Sequence, residues 1–416
     1  MKYGLIGEKL SHSFSKEIHG QLFDYDYELC ELSASQLDVF LRERAFCAVN
    51  VTIPYKETVI PYLDAVDERA RKIGAVNTIV CREGKLYGYN TDFDGLYALI
   101  VRSGIKLQDK KVLILGSGGT SKTAMAVAQY GGCASVLRVS RSAREGCVTY
   151  EQARELHSDA QVIVNTTPCG MYPRAGDSPI DLDDYPCLEG VVDVVYNPLR
   201  TQLVCDAQKR GIPAVGGLYM LVAQAAAAAQ LFVGESVPHE RIDGIYRRIA
   251  AQENVVLIGM PGSGKTTVGK RLAEMLNRPF VDTDVCITEK SGRSIPDLFQ
   301  RIGESGFRDL ESQVIREVAG CKGYVIATGG GAVLRPENVD PLRGNGRVYF
   351  LDRSLSLLRA TDDRPLASTM EDLQKRYEER YAVYCASCDV HIQADFDIDE
   401  VANRIREDFL NEHFGD

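Results

Sequence analysis

Several features are scarce in this chain of 416 residues, and each scarcity excludes a class of protein. No apolar run is long enough to cross a membrane. The longest, Leu218–Val233, contains Gln224, Gln230 and a run of five alanines, so we expect a tightly packed helix and no membrane anchor. The first residues lack the apolar segment of a signal peptide, and we therefore expect no export and a cytoplasmic location. Positively charged residues are also outnumbered, with 48 Lys and Arg against 58 Asp and Glu. The resulting net charge of −10 argues against nucleic acid as a partner.

Cysteine and histidine are not arranged as metal ligands. The twelve cysteines are scattered, and one pair, Cys385 and Cys388, has the spacing of a redox or zinc motif. No second pair completes a zinc site, and the six histidines do not cluster. We expect the pair to be a coincidence of spacing, with a redox or metal role as the alternative. Cysteine usage of this kind suits a reducing cytosol.

The chain is too long for one ordinary domain, and its pattern predicts three α/β domains. We expect a first domain at residues 1–97, completed by about 222–250, a second at 98–221 and a third at 253–416. Apolar runs alternate with helical patterns, which predicts parallel sheets throughout. The predicted strands are 3–6, 48–53, 77–81, 112–115, 135–139, 162–165, 191–196, 255–258, 279–281, 324–327 and 348–351.

A glycine-rich loop after apolar residues 255–258 has the spacing of a phosphate loop. It reads Gly259-Met-Pro-Gly-Ser-Gly-Lys265-Thr266 and precedes a helical pattern. The loop N–H groups can surround phosphate oxygens, Lys265 can reach the β- and γ-phosphates, and the Thr266 hydroxyl can bind Mg²⁺. The loop therefore predicts a nucleoside triphosphate site, with the candidate residues Gly262, Ser263, Gly264, Lys265, Thr266 and Thr267.

A second glycine loop, Gly116-Ser-Gly118-Gly119, follows the apolar run Lys111–Leu115. Its context is that of a dinucleotide site, although its spacing departs from the strict fingerprint and a plain tight turn is the alternative. The next predicted strand ends in Ser140-Arg-Ser-Ala-Arg144, where an NAD site would usually have an acidic residue. Arginines suit the 2′-phosphate of NADP, and solvated surface arginines are the alternative.

Reactive side chains occur in the first segment. Lys56 lies just past a predicted strand and a proline, and Asp92 lies in a later loop. A lysine and an aspartate in a cleft can hold and move a proton at a carbonyl or alcohol. Ser13 and Ser15 form a hydroxyl pair that suits a carboxylate. Taken singly, these residues also fit a surface lysine, a capping aspartate and N-cap serines.

Together, these motifs resemble shikimate dehydrogenase over about residues 1–250. The resemblance implies an α/β substrate domain with a Rossmann NADP domain, and NADPH-dependent reduction of the 3-keto group of 3-dehydroshikimate. The matching motifs are Ser13-x-Ser15, Asn50-Val-Thr-x-Pro-x-Lys56, Gly74-Ala-Val-Asn77-Thr, Asn90-Thr-Asp92, Gly116-x-Gly-Gly119, Asn165-Thr-Thr-Pro-Cys-Gly-Met171, Tyr196-Asn-Pro198 and Gly217-x-x-Met-Leu-x-x-Gln224.

The resemblance also implies residue roles. Lys56 and Asp92 would be the catalytic pair, with Lys56 donating the proton as hydride arrives. The substrate would be held by Ser13, Ser15, Thr52, Asn77, Asp92, Tyr196 and Gln224, and the cofactor by Gly116, Gly118, Gly119, Ser140, Arg141, Arg144, Thr166, Met171 and Gly217. The family commonly has proline at the position of Lys16, and it usually has Asn-Arg-Thr where this chain has Ser140-Arg-Ser142. Ser15 favours shikimate, because quinate-using relatives tend to carry threonine there.

The last segment carries candidate groups for an acceptor. Asp282 and Asp284 follow a predicted strand, and such a pair can divide between Mg²⁺ and an acceptor hydroxyl. Capping or turn aspartates are the alternative. Arg308 and Arg380 could clamp a carboxylate, and Arg364 is typical of a lid arginine that neutralises a transferring phosphate. Any one of these arginines alone also fits a surface ion pair.

Taken in this order, the phosphate loop and these acceptor groups resemble shikimate kinase over about residues 253–416. The resemblance implies a P-loop domain like the nucleoside-monophosphate kinases, which uses ATP and Mg²⁺ to phosphorylate the 3-hydroxyl of shikimate. Asp284 would contact that hydroxyl and Arg364 the transferred phosphate, while Thr266 and Asp282 would serve Mg²⁺. The remaining acceptor residues would be Arg308, Gly329, Gly330, Gly331 and Arg380.

The product of the first predicted reaction is the substrate of the second. We therefore hypothesise a bifunctional enzyme of aromatic amino-acid biosynthesis, with 3-dehydroshikimate and shikimate as its small-molecule substrates. One alternative is a regulator that senses metabolites without turnover. Another is an enzyme that uses quinate or has one inactive half. Whether the chain is a monomer or a homodimer stays open.

Overall fold

The computed structural model describes residues 2–10, 14–172, 174–358 and 370–414. The chain divides into two compact units. The first contains Met1–Met171, Asp177–Tyr196 and Leu203–Tyr246, and the second contains Tyr172–Gly176, Asn197–Gln202 and Arg247–Asp416. The second unit thus includes two short segments from earlier in the chain.

The first sheet of the first unit is formed by six strands in the order β2-β1-β3-β5-β6-β4. Helices α1, α2 and α3 follow β1, β2 and β4 along the chain. The elements are β1 (Tyr3–Gly7), α1 (Ser15–Leu22), β2 (Tyr27–Glu31), α2 (Ala34–Glu43), β3 (Ala48–Val51), β4 (Ala65–Val66), α3 (Glu68–Ile73), β5 (Thr78–Arg82) and β6 (Lys85–Tyr89).

This sheet is mixed, so the prediction of parallel sheets throughout is wrong here. Strand β5 runs antiparallel to both β3 and β6. The cause is local: β5 and β6 are joined by Glu83 and Gly84 alone, at φ 51° and 73°. A two-residue turn with positive φ at both positions can join antiparallel strands only, whereas a parallel pair needs a long crossover.

The second sheet is parallel, in the order β12-β11-β10-β7-β8-β9. Helices α5, α6 and α7 connect β7 to β8, β9 to β10 and β11 to β12, so the parallel arrangement agrees with the prediction for this part of the chain. The elements from Asp92 onward are α4 (Asp92–Ser103), β7 (Lys111–Leu115), α5 (Gly119–Tyr130), β8 (Ser135–Ser140), β9 (Cys147–Thr149), α6 (Tyr150–Leu156), β10 (Val162–Asn165), β11 (Gly190–Asp193), α7 (Gln202–Lys209), β12 (Ala214–Val215), α8 (Leu218–Val233) and α9 (His239–Ala250).

Strand β11 is shorter than the predicted 191–196 and ends at Asp193. The buried Asp193 carboxylate accepts hydrogen bonds from the Asn165 side chain and from the backbone N–H of Val195, both at 3.0 Å. A side chain that captures the backbone two residues ahead turns the chain out of the sheet. The apolar residues after Asp193 therefore do not extend the strand.

The sheet of the second unit is also parallel, in the order β14-β15-β13-β16-β17. Along β13, Val255 and Leu257 pack in one apolar cluster and Val256 and Ile258 in another, which is expected for a central strand with both faces buried. The elements are β13 (Asn254–Ile258), α10 (Lys265–Leu276), β14 (Phe280–Asp282), α11 (Thr283–Ser291), α12 (Ile295–Ala319), β15 (Val325–Ala327), α13 (Pro336–Gly344), β16 (Gly346–Asp352), α14 (Met370–Ser387), β17 (Val390–Gln393) and α15 (Ile398–Phe414).

The alanine-rich run forms α8, the tightly packed helix that the sequence predicts. Alanines 225, 226, 228 and 229 have no exposed surface. A Cβ on Gly95 of α4 would lie 2.6 Å from the Met220 carbonyl oxygen and 2.8 Å from Gln224 Cβ, so this approach of the two helices requires glycine. Among the described residues, no helix is long and apolar enough to cross a membrane.

Arg200 lies in one of the two short segments of the second unit and is held by carboxylates there. Its guanidinium contacts Glu253 at 3.0 Å and Asp389 at 3.3 Å, and donates to the Gly346 carbonyl at 2.6 Å. Arg343 shares Asp389 at 2.9 Å. The pKa of Asp389 is lowered because these two arginines and the Val348 N–H outweigh its burial. The segment 197–202 is thereby tied into the second unit.

None of the twelve cysteines, all of which lie among the described residues, forms a disulfide. Cys385 and Cys388 lie near the end of α14 and just beyond it, where the Cys388 thiol contacts the Cys385 carbonyl oxygen. Burial raises the pKa of Cys388, which does not favour a reactive thiolate. The described residues contain no cluster of three or more histidine, cysteine or acidic side chains that could hold a metal ion.

His19 of α1 is buried in an aromatic cluster. Its ring stacks on Tyr27 with centroids 3.9 Å apart, and its Nδ1 lies 2.6 Å from the Tyr25 hydroxyl. Burial lowers its pKa to about 3 from an ordinary value of 6.5. Between those values the unfolded chain binds more protons at this residue than the folded chain does. The stability contributed by neutral His19 is therefore lost as the pH falls below 6.5.

We expect this histidine to cost about 2 kcal/mol of unfolding free energy when the pH falls from about 6.5 to about 5. His19→Phe keeps a ring in the cluster and should flatten that part of the stability profile. His239→Phe, at an exposed position, should leave the profile unchanged. Urea unfolding at the two pH values measures the difference, and an unaltered slope in His19→Phe would contradict the expectation.

Candidate active sites

Lys56 and Asp92 lie together in the first unit. Lys56 follows β3 and Asp92 is the first residue of α4, and their Nζ and Oδ2 atoms are 2.6 Å apart. The side chains are 15% and 8% exposed, so solvent screens the ion pair weakly. The positive end of the α4 dipole also favours a carboxylate at this position. The structure thus brings together the two side chains that the sequence predicts as an acid–base pair.

Asn77 and Gln224 converge on the same carboxylate. The Asn77 amide donates to Asp92 Oδ1 at 2.9 Å and reaches the Gln224 side-chain oxygen at 3.4 Å. The backbone N–H of Thr91 donates to Asn77 Oδ1 at 2.7 Å, which fixes the amide in this orientation. One oxygen of Asp92 is therefore held by Asn77 and the other by Lys56, so the carboxylate has little freedom to turn.

The other predicted substrate residues of the first unit lie at or near the ends of helices and strands. Ser15 is buried at the start of α1, Thr52 is half-buried directly after β3, and Tyr196 lies edge-on to Phe14 with ring centroids 6.0 Å apart. Burial raises the pKa of Tyr196. Within the described residues, neither Thr52 nor Tyr196 hydrogen-bonds to the Lys56–Asp92 pair. Ser13 lies outside the described residues.

The glycine loop of the first unit lies against the reactive lysine. A Cβ on Gly119 would be 3.4 Å from Lys56 Cβ, and Lys56 Nζ is 3.5 Å from the Thr120 hydroxyl. Gly116 has a φ of 124°, and a Cβ there would come within 2.5 Å of the Thr166 hydroxyl oxygen. Gly118 is the N-cap of α5. Phosphates bound at this helix start would therefore lie close to the Lys56–Asp92 pair.

The remaining predicted cofactor residues lie near the carboxyl ends of the parallel strands, where such sheets bind dinucleotides. Ser140 is buried at the end of β8, and Arg141 and Arg144 are exposed just beyond it. Arg144 donates to the Ser117 hydroxyl at 3.3 Å, which brings one cation to the glycine loop. Met171 is exposed. Gly217 is the N-cap of α8, and a Cβ there would overlap the Val194 carbonyl.

In the second unit, the phosphate loop joins β13 to α10. Gly259, Gly262 and Gly264 have φ of 147°, 83° and 92°, a region in which a side chain is strained. Lys265 is buried, and its ammonium donates to the carbonyl oxygens of Gly259 and Met260 at 2.9 Å. The Ser263 hydroxyl is buried and makes no hydrogen bond within the described part of the chain. Thr267 follows as an exposed residue of α10.

The proposed metal ligands lie side by side at the end of this loop. The Thr266 hydroxyl donates to Asp282 Oδ2 at 2.7 Å, and Asp282 Oδ1 accepts the N–H of Asp284 at 3.0 Å. A hydroxyl and a carboxylate are hard oxygen donors, and Mg²⁺ usually takes one or two of these plus phosphate oxygens and water. This donor set fits Mg²⁺.

The predicted acceptor residues surround the loop of Gly329, Gly330 and Gly331. A Cβ on Gly329 would be 2.7 Å from Asp284 Oδ1, and one on Gly331 would be 2.3 Å from the Arg308 guanidinium. Arg380 donates to the Gly330 carbonyl at 3.1 Å. The glycines therefore let one carboxylate and two arginines close around the same point. Arg364 lies outside the described residues.

Glu311 also belongs to this site, and sequence reasoning gave it no role. Its Oε2 is 2.6 Å from Arg308 Nη1, and the side chain is 1% exposed. Burial raises its pKa, and the opposing effect of Arg308 is smaller. The pair lies three residues apart on α12, a spacing that brings side chains together on a helix and is visible in the sequence. Glu311 therefore holds the Arg308 guanidinium in place.

Comparison with known proteins covers both parts of the sequence. A family model described as "Shikimate dehydrogenase substrate binding domain" matches residues 5–79, and one described as "Shikimate kinase" matches residues 261–409. The protein named "Shikimate dehydrogenase (NADP(+))" from Clostridium beijerinckii is 35% identical over 261 residues, which span 59% of this chain and 96% of that protein.

Solved structures cover the same first part. Shikimate dehydrogenase 1 from Peptoclostridium difficile has a TM-score of 0.56 and 35% identity, covering 60% of this chain and 97% of its own. Shikimate 5-dehydrogenase from Thermus thermophilus, solved with NADP(H) and shikimate, has a TM-score of 0.54 and 30% identity, covering 60% and 99%. A chorismate mutase/shikimate 5-dehydrogenase fusion protein from Clostridium acetobutylicum has a TM-score of 0.55 and 35% identity, covering 59% and 95%.

These matches confirm the predicted α/β fold class, with a shikimate dehydrogenase fold followed by a P-loop kinase domain. They also confirm the two enzyme activities and their cofactors, NADP for the first and ATP with the Mg²⁺ usual for kinases for the second. The chain belongs to the shikimate dehydrogenase family over its first three-fifths and carries a shikimate kinase domain in its C-terminal part.

Proposed function

We propose that this chain is a bifunctional enzyme that reduces 3-dehydroshikimate to shikimate and then phosphorylates shikimate at its 3-hydroxyl. The observation that carries the proposal is that each unit brings several of the predicted reactive groups together. The first has the Lys56–Asp92 pair at 2.6 Å beside a nucleotide loop, and the second has a phosphate loop with the Asp284, Arg308 and Arg380 cluster. A metabolite sensor without turnover would have no need of these groups.

In the dehydrogenase site, Lys56 is the proposed acid. NADPH, when bound, supplies the hydride. The oxygen of the reduced carbonyl then needs a proton, which the Lys56 ammonium donates. Asp92 holds the lysine nitrogen, and Asn77 holds Asp92, so the proton donor is positioned before the substrate arrives.

The surrounding polar groups suit a ring with several hydroxyls and a carboxylate. Asn77, Gln224 and Asp92 offer donors and acceptors at one point. A buried site built to hydrogen-bond hydroxyls rejects analogues that lack them, since its own groups would then stay unpaired. The proposed substrate-binding residues are Ser13, Ser15, Thr52, Asn77, Asp92, Tyr196 and Gln224.

The residues of the first unit fit NADP. Gly116 and Gly119 leave room for a phosphate to approach the backbone, and the start of α5 favours an anion. Arg141 and Arg144 are exposed cations beyond β8, which suits a 2′-phosphate. Ser140, Thr166, Met171 and Gly217 are proposed to line the same site, together with Gly118.

In the kinase site, Asp284 is proposed to orient the acceptor hydroxyl, and Arg308 and Arg380 to bind the acceptor carboxylate. ATP, when bound, supplies the transferred phosphoryl group. Lys265 and the loop N–H groups would hold its phosphates, with Gly262, Ser263, Gly264 and Thr267, while Thr266 and Asp282 would hold Mg²⁺. Arg364, outside the described residues, is proposed to neutralise charge on the transferring phosphate.

Gly331 offers a direct test of the acceptor cluster. Because a Cβ there would overlap the Arg308 guanidinium, we expect Gly331→Ala to raise the KM for shikimate about tenfold through loss of one charged hydrogen bond. Gly176→Ala, where a Cβ would meet nothing within 4 Å, should leave that KM unchanged. Steady-state kinase assays measure both, and a wild-type KM in Gly331→Ala would contradict this arrangement.

The domain division, location and assembly remain proposals. We propose domains at residues 1–97 with about 222–250, 98–221 and 253–416, supported by one sheet in each of residues 3–89, 111–215 and 254–393. The cysteine thiols, none of which is in a disulfide, support a reducing cytoplasm. The proposed partners are the small-molecule substrates, and the chain is a monomer or a homodimer.

The two-step function is tested with the purified chain. It is given 3-dehydroshikimate, NADPH and Mg-ATP, and shikimate 3-phosphate is sought by mass spectrometry. We expect a product that depends on both nucleotides. Accumulation of shikimate alone would contradict the proposed kinase activity. A failure to consume NADPH would contradict the proposed dehydrogenase activity. Steady-state rates with quinate and with shikimate test whether the alternative substrate, quinate, is used.

A further inference from the structure

Arg353 lies beside the phosphate loop of the second unit, on a neighbouring strand. It follows β16, which pairs in parallel with β13, so the ends of both strands lie at one edge of the sheet. The Leu351 carbonyl oxygen is 2.6 Å from the position that a Cβ would take on Gly259, the first residue of the loop. Arg353 therefore starts next to the loop, although no sequence motif marks it.

The guanidinium reaches the other end of the same loop. One of its nitrogens is 3.7 Å from the position of a Cβ on Gly264, which is the N-cap of α10. The unpaired N–H groups and the dipole make a helix start locally positive. A second cation is unfavourable here unless the two share an anion. The position of Arg353 is therefore one that a bound anion would stabilise.

One carboxylate, Asp395, lies near Arg353: hydrogen bonds from Ser354 lower the pKa of Asp395, and the charge of Arg353 adds to that effect. The Arg353 side chain is half-buried, its Nε is buried without a hydrogen bond, and it makes no ion pair within the residues that the structure describes. The neighbouring Asp395 is already engaged by the Ser354 N–H at 2.7 Å and by the Gln393 amide at 2.9 Å. The arginine thus keeps donors to offer to a ligand.

We propose that Arg353 is an additional nucleotide-binding residue, whose guanidinium binds the phosphate chain of the triphosphate. This rests on the proposed kinase function. An arginine presents several N–H donors in a planar fork, which matches phosphate oxygens. Arg353 would thus add its positive charge to that of Lys265 and the loop N–H groups at the triphosphate.

The test compares Arg353→Met with Arg353→Lys in the full chain. We expect the methionine variant to raise the KM for ATP about tenfold, and the lysine variant, which keeps a charge, to raise it less. The KM for shikimate should stay within about twofold in both, as should the NADPH-dependent activity of the same samples, since Arg353 is not proposed to touch either substrate. Arg316→Met, an exposed arginine of α12, is the matched control and should match wild type.

Direct binding separates phosphate contact from packing. By calorimetry, the affinity for ADP should fall in Arg353→Met while the affinity for adenosine stays unchanged. Equal losses for ADP and adenosine, or a KM for shikimate that rises as much as that for ATP, would show a structural role and overturn the proposal. A wild-type KM for ATP and a wild-type affinity for ADP in Arg353→Met would also overturn it. If wild type never phosphorylates shikimate, the proposed function fails, while ADP binding still decides the role of Arg353.

Discussion

Replacing Lys56 with methionine is expected to reduce the dehydrogenase kcat by about 10³-fold, because a positioned general acid contributes about 10²–10⁴-fold. Methionine keeps the length and apolar stem that pack on Gly119 but has no proton to give. The phosphorylation of added shikimate should proceed at the wild-type rate. Initial rates of NADPH oxidation and of ADP formation, taken on one preparation, measure both effects.

Lys72→Met is the matched control, since Lys72 is a surface lysine whose side chain is 73% exposed. It should keep both activities. Two results would count against the role of Lys56. One is a dehydrogenase that loses less than about tenfold, which would place the proton donor elsewhere. The other is an equal loss of both activities, which would indicate a general defect in folding.

Replacing Lys265 with methionine should have the opposite pattern. Its ammonium lies at the phosphate loop, so we expect a loss of about 10²–10³-fold in kinase kcat, the range for removing one preorganised donor to a transition state. The Lys56 site contains no residue of this loop, and NADPH-dependent reduction should be unchanged. A coupled assay for ADP with saturating shikimate measures the loss.

Lys270→Met provides the control for this prediction. Lys270 is an exposed lysine on the same helix, α10, one turn and a half further along. It should retain wild-type phosphorylation. If Lys265→Met kept more than about a tenth of the wild-type kcat, the loop would not be holding the reacting phosphates as proposed.

Local sequence patterns predicted much of the fold because most strands here are continuous apolar runs between helices. Strand β10 has the predicted bounds, and β13 and β16 differ by one or two residues at their ends. The missed strands are short or polar, such as β2 and β4, and depend on pairing with a neighbour. The β5–β6 hairpin was missed because its turn, Glu83-Gly84, is not one of the strongest hairpin signals.

The candidate sites were predictable where a motif carries its own geometry. The phosphate loop and the Lys56–Asp92 pair are of this kind. Glu311 and Arg353 belong to no such motif. Glu311 gains its role by pairing with Arg308, and Arg353 gains its role by the strand pairing that brings β16 beside β13. The burial of Glu311 and the contact between two strands distant in sequence decide these roles, and a single sequence records neither. The roles of all the site residues stay predictions, and Ser13 and Arg364 also lie outside the described residues.

The segment 197–202 determines how the chain can be divided. A cut near residue 250 would leave Arg200 on the N-terminal fragment and remove Glu253, Asp389 and the Gly346 carbonyl, its partners. Leaving a largely buried cation without its carboxylates costs about 3 kcal/mol or more. The C-terminal fragment would keep those carboxylates without Arg200. Each fragment would therefore need new mutations before it could stand alone. The contacts of Arg200 thus favour the joined chain over two separate ones.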